Sequence, residues 1–185
     1  VRYYTVKSAK ELLARAGMKI RSAKIINYHG ESLRIVAQLS SHLEEESEEV
    51  TKMIKEEEGY GLFSEELYKK YMSDNLMKKN LFLEKISKIK RDGGTIIAVG
   101  AAAKANTFLN FYGLDNSLID FVTDSSPHKQ GKFTPATRIP IVGDEVFSNY
   151  VDVYALILSW NIADQLRPIL FKINPDIKFI SPDQQ

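Results

Sequence analysis

The sequence predicts an α/β protein: a doubly wound, mostly parallel Rossmann-like sheet preceded by a helical linker and a helix plus β-hairpin. Two observations support this fold class. Runs such as TIIAV and YALIL are apolar on both faces, as expected of parallel strands that helices cover on both sides. From residue 92 to the end, such runs alternate with helical patterns over short connections, which is typical of crossover units in a doubly wound sheet.

Residues 1–41 are predicted to form a helix followed by a two-stranded hairpin. Apolar residues at helical spacing end at Gly17, a residue that commonly terminates helices. Further on, alternate residues define the two faces of a strand: Leu33, Ile35 and Ala37 on one, and Ser32, Arg34 and Val36 on the other. A helix and two strands are too small to bury a core alone. We therefore expect this segment to pack on another part of the protein.

Residues 42–91 are predicted to be a helical linker. The stretch HLEEESEEVTKMIKEEE opens with glutamates, which the helix macrodipole stabilises near an amino terminus. Gly59 and Gly61 interrupt the helical pattern, and Ser64 then stands where an N-cap residue is expected. The segment is interpreted as a solvated connector, with a dimerising pair of helices as the alternative.

Residues 92–185 are predicted to form the sheet domain, with no short-period repeat among them. The predicted strands are Thr95–Val99, Leu118–Val122, Ile139–Val142, Val153–Leu158 and Lys178–Ile180. The predicted helices are Lys104–Tyr112, Asp144–Asn149 and Ile162–Ile173.

Composition excludes several classes of function. The formal net charge is +1, so no global charge favours nucleic acid or an anionic membrane as a partner. The absence of cysteine excludes disulfides and thiolate metal sites, and three widely separated histidines argue against a histidine-rich metal centre. No apolar run is long enough to span a bilayer, and no secretory signal is evident. We expect a soluble, cytoplasmic protein.

The strongest candidate site lies after the first strand of the sheet. In open α/β sheets ligands bind beyond the carboxyl ends of the strands. Here Gly100 and small residues would let a ligand approach the backbone, while helix amides and Lys104 favour an anion such as a diphosphate. Asn106 follows in the same turn. The loop lacks the dinucleotide and Walker A glycine patterns, so alanines that merely allow close helix–strand packing remain the alternative.

Two more strand ends carry polar residues. Asp124 follows Gly100 at close to the offset of about 20 residues at which an acidic residue contacts ribose in dinucleotide folds. Lys129 belongs to the basic loop beyond it, which is either functional or simply solvated. Trp160 ends the fourth strand as a core anchor or a platform for a flat base, and Asn161 can cap a helix or bind a ligand.

Three motifs together resemble a known family. The motifs are GAAAKANTFLNFYG, SSPHKQGKFTPATRIPI together with the Asp124 that precedes it, and LILSWN. In that order and spacing they resemble the carboxy-terminal domain of the SAM-dependent sugar C-methyltransferases. INYHGESLR is similar to the H-G-G-S-L-R element of the same family. Ala105, Ala136 and Glu31 stand where the family pattern has glycine, which is expected to narrow the approach of a ligand to the backbone.

The resemblance implies a domain organisation and a reaction. Residues 1–41 would be the terminal helix and hairpin of a truncated methyltransferase domain, 42–91 the linker, and 92–185 the Rossmann-like carboxy-terminal domain. The complete enzyme would methylate a nucleotide-linked keto-deoxysugar at carbon, through an enolate that attacks the methyl group of SAM. SAM would bind upstream, outside this chain, and no cofactor is expected in the fragment itself, which would be inactive alone.

The resemblance also implies residue roles. His29 would face the active site, with Lys104 and Asn106 near the phosphates. The residues expected to hold the nucleotide-sugar are Gly100, Lys104, Asn106, Asp124, Lys129, Trp160 and Asn161. Expected partners are the nucleotide-sugar, the upstream methyltransferase domain and, as a further expectation, a second copy of the chain. The alternatives are an NAD(P)-binding oxidoreductase domain and a structural or dimerisation module with a vestigial pocket.

Overall fold

The computed structural model describes residues 3–28 and 31–182. Within these ranges the helices are α1 (Val6–Arg15), α2 (Glu48–Gly59), α3 (Glu65–Arg91), α4 (Ala103–Tyr112) and α5 (Ala163–Ile173), with short 3-10 helices at Asp144–Asn149 and Trp160–Ile162. The strands are β1 (Met18–Ile26), β2 (Ser32–Leu39), β3 (Thr95–Val99), β4 (Phe121–Thr123), β5 (Ile141–Val142), β6 (Val153–Ile157) and β7 (Lys178–Ile180). The chain divides into two compact units, Val1–Ser73 and Asp74–Gln185.

The amino-terminal unit packs the antiparallel hairpin β1–β2 against α1 and α2. Its core is formed by Val6 from α1, Ile20 and Ala23 from β1, and Val50 from α2. The carboxylate of Glu57 in α2 accepts hydrogen bonds from the first two backbone amides of α1, where the helix dipole favours a negative charge. The hairpin was expected to need a packing partner, and α2 provides one within the segment interpreted as a linker.

The carboxyl-terminal turns of α3 belong to the sheet domain. Phe82, Ile86 and Ile89 recur at helical spacing and are buried in the core beside the sheet. Lys90 Nζ lies 2.9 and 2.8 Å from the two carboxylate oxygens of Asp120, which precedes β4. Although α3 is long, it is rich in charged residues, and no helix in the described ranges is long and apolar enough to cross a membrane.

The sheet confirms the predicted fold class. Among the described residues its five strands are all parallel, in the order β5-β4-β3-β6-β7. Along β3, Ile96 and Ala98 join the core with α3 and α4, whereas Ile97 and Val99 join the core with α5 and the 3-10 helix Asp144–Asn149. Both faces of β3 are therefore buried, which explains why its sequence is apolar from Ile96 to Val99.

The strand order reverses between β3 and β6, the adjacent parallel strands from which the chain connects to opposite edges of the sheet. The connection after β3 passes through α4 to β4 on one side, and the connection after β6 passes through α5 to β7 on the other. Divergent connections open a crevice at the carboxyl ends of the two strands, where ligands of such sheets bind. The fold therefore places the candidate site between the ends of β3 and β6.

Two predicted strands begin later than expected. At Asp115 the side chain accepts hydrogen bonds from the amide and hydroxyl of Ser117, and its carbonyl accepts from the Leu118 amide, so this stretch is a turn and β4 begins at Phe121. The predicted start of β5 at Ile139 is also wrong, because the Ile139 amide donates to a threonine side chain instead of a neighbouring strand.

A tight turn precedes β5 and centres on Ala136. The Thr137 amide donates to the Pro135 carbonyl at 2.8 Å, which closes a three-residue turn. Ala136 has φ +64°, a left-handed conformation that side chains with a Cβ disfavour. The buried hydroxyls of Thr134 and Thr137, 2.7 Å apart, hold the turn in this shape. The left-handed backbone at residue 136 explains why the family motif has glycine there, and it means that Ala136 is strained.

We expect Ala136→Gly to raise the free energy of unfolding by about 0.5–1 kcal/mol, because relief of the left-handed strain exceeds the added entropy of the unfolded chain. Urea denaturation followed by circular dichroism measures the change. Ala163→Gly is the matched control: Ala163 has φ −57°, so the same replacement there should destabilise the protein. A loss of stability in Ala136→Gly would contradict the strain argument.

Candidate ligand-binding site

The crevice begins where Gly100 and Ser159 approach each other at the ends of β3 and β6. Gly100 has φ +100°, and a Cβ added to it would lie 2.1 Å from Ser159 Oγ. The absence of a side chain at Gly100 therefore makes this close approach possible. Ser159 is a site residue that the sequence-based assignment missed. Its position directly before Trp160, in a polar run at a strand end, was the available signal.

Lys104 and Trp160 come together across this crevice. Lys104 lies in the first turn of α4 and Trp160 opens the 3-10 helix that follows β6. The Lys104 ammonium lies over the Trp160 ring, with Nζ 5.4 Å from the ring centroid, within the range of a cation–π interaction. Trp160 is 52% exposed, so its ring is not an anchor of the core. Two residues predicted from different strand ends thus form one contact.

Asn106 lies one turn into α4 with an incompletely bonded side chain. Its Nδ2 donates to the Ala102 carbonyl at a long 3.4 Å. Its Oδ1 is buried and accepts no hydrogen bond from the residues that the structure describes. A buried acceptor without a donor costs free energy. The amide oxygen would accept from a hydroxyl group rather than contact a phosphate oxygen, but a ligand reaches it only if the side chain turns toward the crevice.

Asp124 links the two loops beside the crevice. One carboxylate oxygen, Oδ2, accepts hydrogen bonds from the Ala101 amide at 2.9 Å and from Lys129 Nζ at 2.8 Å. The other, Oδ1, accepts from the Ser126 amide at 3.0 Å. Burial alone would raise the pKa of Asp124, but these donors and the positive charge of Lys129 outweigh it and hold the pKa below its ordinary value. The carboxylate is therefore charged and engaged at neutral pH.

The contact of Asp124 with Lys129 bears on the predicted contact of Asp124 with a ribose and on the predicted role of Lys129 in binding the nucleotide-sugar. The ammonium of Lys129 is paired with a carboxylate, whereas Lys104 makes no ion pair with the residues that the structure describes. Lys104 is thus the cation more readily available to an anionic ligand. Asp124 holds Ala101 in the turn after β3, so its direct contact with a ribose stays a prediction.

Four further residues from the sequence motifs are Asn161, His29, Ala105 and Glu31. Asn161 is exposed in the 3-10 helix after β6, and no side chain caps α5 at its N-cap residue Ile162. His29 lies outside the described residues. Ala105 is 1% exposed and its methyl group packs into the core, so it does not narrow the approach to the loop. Glu31, like Ala136, has a positive φ, +73°.

Comparison with known proteins gives two matches. The C-methyltransferase C-terminal domain family matches residues 27–182. The chain is also 28% identical over 164 residues to the C-methyltransferase NovU from Streptomyces niveus. The aligned region covers 89% of this chain and 39% of that protein, so the chain spans about two-fifths of the length of this relative.

Proposed function

The chain belongs to the C-methyltransferase C-terminal domain family, and from that membership we propose that its sheet domain binds the nucleotide-linked sugar that a larger C-methyltransferase methylates. We propose further that methyl transfer takes place on a domain outside this chain. The name of the relative NovU supports C-methylation as the chemistry. Substrate holding is thus the role proposed for the residues at the β3–β6 crevice.

The observation that carries this proposal is the contact of Lys104 with Trp160. A cation lies over an exposed indole ring at the edge of the sheet where α/β proteins bind ligands. A nucleoside diphosphate combines the two complementary groups, a flat base that stacks on an aromatic ring and a diphosphate that pairs with an ammonium. Neither a neutral sugar nor an inorganic anion alone would use both side chains.

The polar groups nearby complement such a ligand. The unsatisfied Oδ1 of Asn106 would accept from a hydroxyl of the ribose or of the sugar when its side chain turns toward the crevice. The Asp124 carboxylate holds the Ala101 amide and thereby the turn after β3. These groups favour a ligand that carries both hydroxyl and phosphate groups.

The same residues do not suit SAM. The reactive sulfur of SAM is a positively charged sulfonium, which the ammonium of Lys104 would repel across the crevice. In addition, the Asp124 carboxylate, at the strand end where an acidic residue contacts a cofactor ribose, already accepts three hydrogen bonds from the protein. The crevice is therefore proposed as a substrate site, and no step of methyl transfer is assigned to it.

Calorimetric titration of the chain with a TDP-linked sugar tests the proposal. We expect binding in the wild-type protein and at least about tenfold weaker binding in Lys104→Ala, because a charge-assisted contact to the diphosphate is lost. Lys172→Ala is the matched control, since Lys172 is an exposed lysine at the far end of α5. Equal binding by Lys104→Ala and wild type would contradict the site. Binding of NAD(H) in place of the TDP-sugar would favour the oxidoreductase alternative.

A further inference from the structure

We infer that Lys104 and Trp160 form a single coupled subsite for a nucleoside diphosphate, in which Lys104 covers the base-stacking face of Trp160 until a diphosphate draws the ammonium away. This inference rests on the proposed function and deepens it. It assigns the base to Trp160 and makes diphosphate binding a condition for effective stacking.

On the face of the ring that Lys104 covers, the geometry makes the two contacts mutually exclusive. The ammonium lies over the indole ring at 5.4 Å from its centroid, and stacked aromatic rings have centroids about 4.5–7 Å apart. Both partners would therefore occupy the same space above the ring. Trp160 is half exposed and Lys104 is itself exposed, so both side chains are in contact with solvent. A base that stacks there has to displace Lys104.

The charges nearby allow Lys104 to leave the ring. Asp124 is the carboxylate of the adjoining loop, and its Oδ2 is already held by Lys129 and the Ala101 amide. Within the described part of the chain no carboxylate forms an ion pair with Lys104, so a diphosphate has to compete only with the cation–π contact to the Trp160 ring. A diphosphate offers the ammonium a stronger, charge-assisted interaction than the ring does. Anion binding should thus expose the ring to the base.

The coupling gives Lys104→Ala opposite effects on two ligands. A diphosphate loses its cation and binds more weakly. A neutral nucleoside no longer has to displace the ammonium, so it should bind roughly two- to fivefold more tightly, the range that corresponds to an exposed cation–π contact. If Lys104 only added charge to the site, its replacement by alanine would leave nucleoside affinity unchanged. If Lys104 supported the ring, its replacement would lower that affinity.

Intrinsic fluorescence measures the ring directly, because Trp160 is the one tryptophan of the chain. The full chain is titrated with inorganic pyrophosphate, thymidine and thymidine diphosphate. In the wild type, we expect pyrophosphate alone to alter the emission and thymidine diphosphate to quench it further. In Lys104→Ala, we expect the pyrophosphate response to vanish, thymidine to bind more tightly and thymidine diphosphate to bind more weakly. Lys104→Arg should restore the wild-type pattern, and Lys172→Ala should match the wild type throughout.

Two outcomes would overturn the inference. One is an unchanged or reduced thymidine affinity in Lys104→Ala. The other is a wild-type emission that does not respond to pyrophosphate while calorimetry records its binding. Titration of the wild type with a TDP-sugar separates failure of this inference from failure of the proposed function. If the TDP-sugar binds but thymidine affinity is unchanged in Lys104→Ala, only the coupling of the two residues is overturned. If the TDP-sugar does not bind, the coupling and the proposed function are both overturned. Circular dichroism confirms that each variant is folded.

Discussion

Replacing Asn174 with aspartate should lower the free energy of unfolding of the sheet domain by about 3 kcal/mol. Asn174 is 8% exposed and ends α5. Its Nδ2 donates to the carbonyls of Phe147 and Tyr150 at 2.9 and 2.8 Å, and its Oδ1 accepts from the Asp176 amide. A carboxylate has the same shape but cannot donate, so two carbonyls would face a buried negative charge.

Urea denaturation with tryptophan emission as the signal measures this effect, because Trp160 reports on the sheet domain. Asn149→Asp is the matched control, since Asn149 is exposed in the 3-10 helix that Asn174 holds in place. It should change stability by at most about 0.5 kcal/mol. The loss in Asn174→Asp should shrink in acid, where a protonated carboxyl can donate one hydrogen bond. Equal effects of the two substitutions would show that the buried amide contributes little.

Gly100→Ala should destabilise the sheet domain by about 2–3 kcal/mol, since the left-handed backbone and a steric clash both oppose the new methyl group. The Cβ would lie 2.1 Å from Ser159 Oγ and 3.1 Å from Ser159 Cβ. Rotation of the Ser159 side chain relieves the contact with Oγ, but the approach to Ser159 Cβ remains, so the carboxyl ends of β3 and β6 also have to shift slightly where the crevice lies. We therefore expect the same substitution to weaken binding of a TDP-sugar.

Two comparisons separate the causes of that loss. Gly113 also has a positive φ, +70°, but a Cβ there would meet no described atom within 4 Å, so Gly113→Ala should cost only about 1 kcal/mol. Ser159→Gly removes the obstructing side chain. Combined with Gly100→Ala, it should recover about 1–2 kcal/mol relative to the sum of the single substitutions, measured as a double-mutant cycle. Strict additivity would exclude a steric origin.

The regular parts of the sheet could be predicted from the sequence because burial on both faces leaves a direct signal. The residues Thr95–Val99 and Lys178–Ile180 were bounded correctly as strands. The predicted strand at Leu118 began too early, because apolar residues there belong to a turn held by the side chain of Asp115. Hydrophobic pattern indicates which residues are buried, but local side-chain hydrogen bonds decide where the strand starts.

The candidate site was only partly predictable for a related reason. The rule that parallel strands end at one edge brought Lys104 and Trp160 to the same side, but their contact depends on β3 and β6 being neighbours. Periodicity does not determine strand order. The hydrogen bond from the Ala101 amide to Asp124 and the approach of Ser159 to Gly100 likewise join segments whose proximity only the folded chain establishes.

The hydrogen bonds of Asp124 have a consequence for exchanging parts between members of this family. The Asp124 carboxylate accepts hydrogen bonds from the Ala101 amide in the loop after β3 and from Lys129 in its own loop after β4. It therefore holds the two loops together. A loop transplanted alone from a relative would not match the backbone path of the other loop, and the hydrogen bond from the Ala101 amide to the Asp124 carboxylate would be lost. Chimeras that alter ligand preference should therefore exchange residues 100–106 and 124–130 together.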